Sequence, residues 1–317
     1  MKLGLVPCMA ATSLSLLMLC CPLPIAASEN VPHLPFAEMA NVPDRGQLLI
    51  RATYQESESY YFWAGNTRDR VDYPLRGEHY GIDINQGFLT FQYGLSSNCT
   101  ADLTVGYTTS GWRYFSNFNN PNGNSQSTSG LTDFAFGLRY QLWREQDGAC
   151  PWMPTVAFRA GAVLPGSFDQ RFPFAPGTRS TAIEPELVVR KHFGWPGLGF
   201  YSDALFRWNH TSANDLYIVS AGFFQTLRRW ELDAGYRHLG SINGGDIGFD
   251  PTTRLIDYPR AVRENQDSVE AGFSYRAKWQ DLRLGFYSRT VMDGSNTDKK
   301  FWLGAFIELP LAMLNPK

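Results

Sequence analysis

Beyond its first 28 residues this 317-residue chain has only two cysteines, Cys99 and Cys150. Neither a zinc-site spacing nor a dense disulfide framework can be built from so few. Histidine is scarce as well, with five in all. A surplus of one charge is also missing: 28 Lys and Arg stand against 30 Asp and Glu, net −2. That balance removes the electrostatic reason to expect a nucleic-acid partner. After residue 28 no window offers about 18 consecutive apolar residues, which excludes a transmembrane helix. Phosphate, nucleotide and haem motifs are lacking, and "GWPGLG" at 194–199 reads as a turn. "NGGDIGFD" and "NNPNGNS" carry oxygen ligands without the carboxylate spacing of a calcium loop. No cofactor and no metal are therefore expected.

What is present begins with an export address. Met1 and Lys2 precede an apolar stretch that ends in the small residues Ala26, Ala27 and Ser28, the pattern of a signal peptide over residues 1–28. Pro22 and Pro24 interrupt the apolar run and argue against a membrane anchor. An exported chain without a spanning helix ends either as a soluble secreted protein or as a membrane barrel.

The remaining sequence alternates with period two. "GLTDFAFGLRYQL" at 130–142 opposes Phe134, Phe136, Leu138, Tyr140 and Leu142 to Asp133, Arg139 and Gln141, and similar alternation recurs along the chain. Strands are predicted near 47–57, 78–95, 100–112, 130–143, 153–164, 181–193, 198–208, 214–226, 230–239, 266–278, 282–291 and 300–309, with a bulge at Gly87 in the second. Long polar connections alternate with short turns such as "SSN", "GWPG", "LRR" and "WQD". An even strand number with long loops on one side describes a closed antiparallel transmembrane β-barrel, all-β, of about twelve strands, with extracellular loops and periplasmic turns. A soluble sandwich would alternate too, but its loops would not sort by length. The expected division is a signal peptide at 1–28, a periplasmic N-terminal segment at 29–46, the barrel at 47–309 and a periplasmic tail at 310–317. The N-terminal segment is too short for a large plug and is a candidate partial stopper.

In lipid the apolar face must point outward, which leaves the charges to the lumen. Ten basic and ten acidic residues take the inward phase, among them Arg51, Asp102, Arg283 and Glu308, and also Asp83, Arg276 and Lys278. Such a balance predicts ion pairs across the lumen and no strong ion selectivity. Arg139, Arg159, Arg190, Arg207 and Arg237, with Glu184, Glu186, Asp203 and Asp233, are the candidate solute path, the arginines forming a ladder. Mutual pairing that stiffens the wall is the plainer role for each. Cys99 and Cys150 fall on the periplasmic rim as a candidate disulfide.

"SGLTDFAFGLRYQL", "PTVAFRAGAVLPGS" and "STAIEPELVVRKHFG" supply Gly130, Asp133, Leu138, Tyr140, Leu164, Pro165, Gly166, Phe193 and Gly194. At these positions, across residues 85–309, the chain resembles the outer-membrane barrel family of the MetA pathway of phenol degradation. The resemblance implies a barrel passing small hydrophobic or aromatic compounds, with a loose likeness to long-chain fatty-acid transporters. It carries no binding residues over. The usual C-terminal aromatic is missing, since eight residues follow Leu309.

The expected function is an outer-membrane channel or transporter for small hydrophobic or aromatic compounds; the alternative is a surface scaffold or adhesin using the long loops. Outer-membrane lipid, lipopolysaccharide, the barrel-assembly machinery and a small solute are the expected partners. "NHTSAND" gathers His210, Ser212 and Asp215 in one loop, but side chains so close in sequence seldom form a triad, and no enzyme is expected.

Overall fold

A computed structural model describes residues 40–70, 81–114, 124–145, 152–168, 177–193, 197–210, 213–249, 256–257, 262–279 and 281–312. One antiparallel sheet of fourteen segments closes on itself. The short segment Thr67–Arg70 pairs only with the end of the first strand, and two segments share one place in the wall, leaving twelve staves. They are β1 Gln47–Ala64, β2 Ile82–Gly94, β3 Cys99–Tyr114, β4 in two pieces Asn124–Leu131 and Phe134–Trp143, and β5 Thr155–Leu164. There follow β6 Ala182–His192, β7 Leu198–Asn209, β8 Leu216–Leu227, β9 Trp230–Ser241, β10 Asn265–Arg276, β11 Arg283–Ser295 and β12 Asp298–Ala312. Closure runs from Gln47↔Ala312 to Ser59↔Lys300 along β1 and β12, so the backbone groups that a bilayer cannot satisfy are paired within the wall. The last strand continues three residues past the expected end at 309.

The expected alternation is observed. Phe136, Leu138, Tyr140 and Leu142 are exposed on the outside, while Asp133, Arg139 and Gln141 are buried inside. Trp143, Trp208, Trp230 and Trp279 stand exposed at strand ends or in the adjoining turn, where aromatic girdles meet the interfaces. Three expectations fail. Gly87 carries no bulge: it pairs in unbroken register with Tyr54 on one side and Tyr107 on the other. Register shifts occur elsewhere, one of them in β4, where Thr104↔Ala135 gives way to Tyr107↔Leu131, so three residues of β4 oppose two of β3. Asp83 takes the outward phase and is exposed, because Ile82, Ile84 and Gln86 hold the inward one. Arg276 and Lys278 are exposed at the periplasmic end of β10 rather than enclosed in the lumen.

Short turns join strands at the periplasmic end. Gly197 there has φ +77, and a Cβ on it would lie 1.9 Å from the Thr226 carbonyl oxygen. Both demands admit glycine alone. Arg228 supplies a second positive φ, 58, in the turn between β8 and β9.

Candidate functional site

The lumen has two zones. Its extracellular third sets apolar clusters among buried charges such as Arg207, Glu184, Asp298 and Lys300: Leu205, Leu216, Ile218 and Leu239 cluster on β7 to β9. Ile82, Ile84 and Trp302 cluster on the opposite wall. These residues sit at the outer ends of their strands in the inward phase, where a water-filled barrel ordinarily carries polar groups. Beside and below these clusters the wall is charged.

Arg159 on β5 donates to Asp102 on β3 through Nε at 2.9 Å and through its second terminal nitrogen at 2.7 Å. Its other terminal nitrogen lies 3.6 Å from Glu184 and 3.9 Å from Glu186. Glu184 in turn accepts from Arg207 Nε at 2.6 Å. Nearer the periplasm Arg283 meets Glu231 at 2.7 Å, and Arg51 pairs with Glu308. Room for the Arg159 head comes from its neighbours: Cβ atoms at Gly137 or Gly161 would lie 2.8 Å and 2.4 Å from the guanidinium.

The predicted path residues therefore do different things. Arg159, Arg207, Glu184 and Glu186 share one ion network. Asp203 is buried on β7 in the electrostatic field of Arg237 on β9. Asp233 leans over Gly272 of β10, where a Cβ would stand 2.7 Å from its carboxylate. Arg190 leaves the ladder: it donates to Asn41 Oδ1 at 3.2 Å and lies over the Phe224 ring. Arg139 is buried, yet donates to none of these partners and makes no ion pair among the described residues. Glu264 and Asp298, buried near the outer end, were missed because they lie beyond the strand limits read from the alternation; Lys300, also buried, opens the strand read at 300–309 and shares the phase of Glu308. Cys99 forms no disulfide among the described residues; Cys150, its expected partner, lies outside them, as does the signal peptide.

Both ends of the lumen are occupied by chain. At the periplasmic end the Gly46 N–H donates to the Gly94 carbonyl on β2. Six residues earlier, Ala40 packs among Val188, Tyr201 and Phe224 on β6 to β8 and accepts from Gln141 Nε2 at 2.9 Å. Residues 40–46 thus cross from one wall to another, a span that seven extended residues cover with a reach of about 20 Å. Below them Glu145 accepts from Lys191 Nζ at 2.6 Å and from the His192 ring at 3.0 Å. Burial alone would raise the Glu145 carboxyl; these bonds outweigh it and hold it below the ordinary range.

At the extracellular end Asp133, in the break of β4, accepts from the backbone N–H groups of Gly166, Thr178 and Arg179 at 2.9, 3.2 and 3.1 Å. It folds both described ends of the β5–β6 loop inward and buries Phe168. Asn296, with φ 54, accepts from Gly65 N at 2.7 Å and Ile247 N at 2.8 Å. Its amide donates to Asp246 at 3.0 Å and to the Arg263 carbonyl at 2.7 Å. One side chain so latches the β9–β10 loop to two hairpins. Of the histidine loop, Asp215 accepts from Asn209 N at 2.8 Å, and Ser212 lies outside the described residues.

A closed twelve-stranded barrel with a lipid-facing apolar belt, aromatic ends and a charged bore defines an outer-membrane protein built on the plan of channels and porins. The chain belongs to the family described as "Putative MetA-pathway of phenol degradation", which matches residues 60–290. Among solved structures it is similar to the COG4313 outer membrane channel from Pseudomonas putida F1, at 13% identity and TM-score 0.63, covering 89% of this chain and 100% of that one. Weaker likenesses are to the translocator domain of the autotransporter NalP from Neisseria meningitidis, at 13% identity and TM-score 0.45, covering 86% and 91%, and to the P. putida toluene transporter TodX, at 8% identity and TM-score 0.38, covering 87% and 92%. The sequence matches none of the curated proteins compared.

Proposed function

We propose that this barrel is a transporter for small hydrophobic or aromatic solutes, entering at the extracellular end and leaving past residues 40–46. One observation carries this: two apolar clusters, Leu205, Leu216, Ile218 and Leu239 on one wall and Ile82, Ile84 and Trp302 on the other, take inward positions at the outer end. Inward apolar groups on two facing walls disfavour a general porin for hydrated ions and favour an apolar solute. Family membership and the P. putida channel's fold support the transporter class. A non-enzymatic role fits the employment of Asp215 as a backbone acceptor. Lipopolysaccharide around the outer rim and the barrel-assembly machinery belong to the same proposal as partners, as does a Cys99–Cys150 bridge at the periplasmic rim.

The chain packed at both ends of the barrel favours a second role, a surface scaffold. Uptake separates the two. Intact cells with and without the protein are compared for the initial uptake rate of labelled benzyl alcohol, whose entry the lipopolysaccharide leaflet retards. Transport predicts a several-fold faster rate with the protein; equal rates, with the folded barrel shown in the outer membrane, contradict it and leave the scaffold.

A further inference from the structure

Resting on the transport proposal, we infer that Arg139, with Thr100 beside it, binds the carboxylate of an aromatic or short-chain acid inside the lumen. Arg139 is 2% exposed and Thr100 0% exposed. The two face each other directly in the register of β3 and β4. Arg139 Nε and Thr100 Oγ1 are both sealed from solvent with no hydrogen-bond partner. A buried guanidinium nitrogen and a buried hydroxyl that donate to nothing are each costly. Side by side, they describe a site that an oxygen acceptor completes.

The neighbours explain why the wall does not supply that acceptor. Arg139 stands opposite Arg159 in the register of β4 and β5, and Arg159 takes both oxygens of Asp102. Glu186, the next residue in the same row, lies 3.9 Å from Arg159. Gln141, one inward position below, gives its amide to Ala40. Asp102 is thus bonded to Arg159, and Glu186 faces Arg139 as a charge without bonding its Nε.

The same surroundings select the ligand. A guanidinium matches a carboxylate in shape and donor geometry. Asp102 and Glu186 are the opposite charges nearest Arg139, and two acids close by tolerate a single negative charge better than a phosphate dianion. Followed around the wall, the row runs from Arg159 and Glu186 to Leu205, then Ile218 and Leu239. That apolar patch lies three strand spacings, about 15 Å, along the wall from Arg139, further out on the same passage.

The test uses the refolded full-length protein in detergent micelles and equilibrium dialysis with labelled benzoate, and with benzyl alcohol as its neutral counterpart. Wild type is expected to retain benzoate, Arg139→Gln to bind it at least tenfold more weakly, and Thr100→Val, which keeps the side-chain shape, a few-fold more weakly. Benzyl alcohol should be indifferent to both changes. Heat-modifiable gel migration confirms folding, and Thr100→Val carries the test if Arg139→Gln does not fold. Benzoate bound equally by wild type and folded variants, or not bound by wild type, overturns the inference. Benzoate binding lost in the variants while cellular uptake fails would sink the transport proposal and leave the site.

Discussion

Arg159 grips Asp102 across an intervening strand: the guanidinium comes from β5, the carboxylate from β3, and β4 between them presents only Gly137 to the lumen at that point. Asp102→Asn is expected to destabilise the barrel by about 2 kcal/mol, less than the ~3–5 kcal/mol of an isolated buried pair, because Glu184 and Glu186 remain within 3.6 and 3.9 Å. Gly137→Ala, which forces the guanidinium aside, should act in the same direction. Urea unfolding in micelles measures both, and a variant as stable as wild type removes the pair from the account.

Asp133 holds the β5–β6 loop through three backbone donors. Asp133→Asn keeps the size and loses an acceptor with its charge, and bonds to charged groups contribute about 1.5–3 kcal/mol each. Proteolysis within residues 165–181 should become at least tenfold faster while the barrel keeps its gel migration. Unchanged cleavage would mean that the loop is held by other contacts.

Leu138 is exposed on the lipid side midway along the lower piece of β4. Leu138→Arg should cost about 2–4 kcal/mol, as basic residues do near the bilayer midplane. Arg139, one residue on, is tolerated because it points the other way. A Leu138→Arg barrel that folds into bilayers as stably as wild type would contradict the assignment of faces.

The outer latch should depend on pH. A hydrogen bond from Asn296, and then Arg263, hold the Asp246 carboxyl below its ordinary range. A depressed carboxylate contributes stability that is present above its unfolded pKa and lost as pH falls through the folded one. The β9–β10 loop should therefore stay closed at neutral pH and loosen only below the ordinary aspartate range. Limited proteolysis against pH checks this, and Asn296→Gly, which accepts the positive φ but removes the bonds, should loosen the loop at every pH. Loop cleavage independent of both pH and this substitution contradicts the latch.

Much of this fold was legible because lipid enforces a period of two. Leu138 and Arg139 could be assigned to opposite faces without any partner being known, and the sorting of loops gave the direction of the barrel. Pairing within the lumen was not legible: which acid meets Arg159 depends on strand tilt and on Gly137 leaving space, and neither shows in alternation. Asp133 shared its phase with wall charges and yet serves a loop. The apolar clusters were hidden because Leu216, Ile218 and Leu239 in the inward phase resemble ordinary strand residues until closure fixes which way they face. Inward glycines beside bulky inward groups, Gly137 and Gly161 around Arg159, are the sequence signal that could have located the network.

The most direct test of a closed but passable bore is single-channel conductance of the refolded protein in a planar bilayer, with and without residues 29–46. Because Ala40 reaches the wall at Val188, Tyr201 and Phe224, deletion should enlarge the conductance steps several-fold. Equal conductance in both forms, or silence from both with folding confirmed by heat-modifiable migration, would contradict a passage controlled by the N-terminal segment.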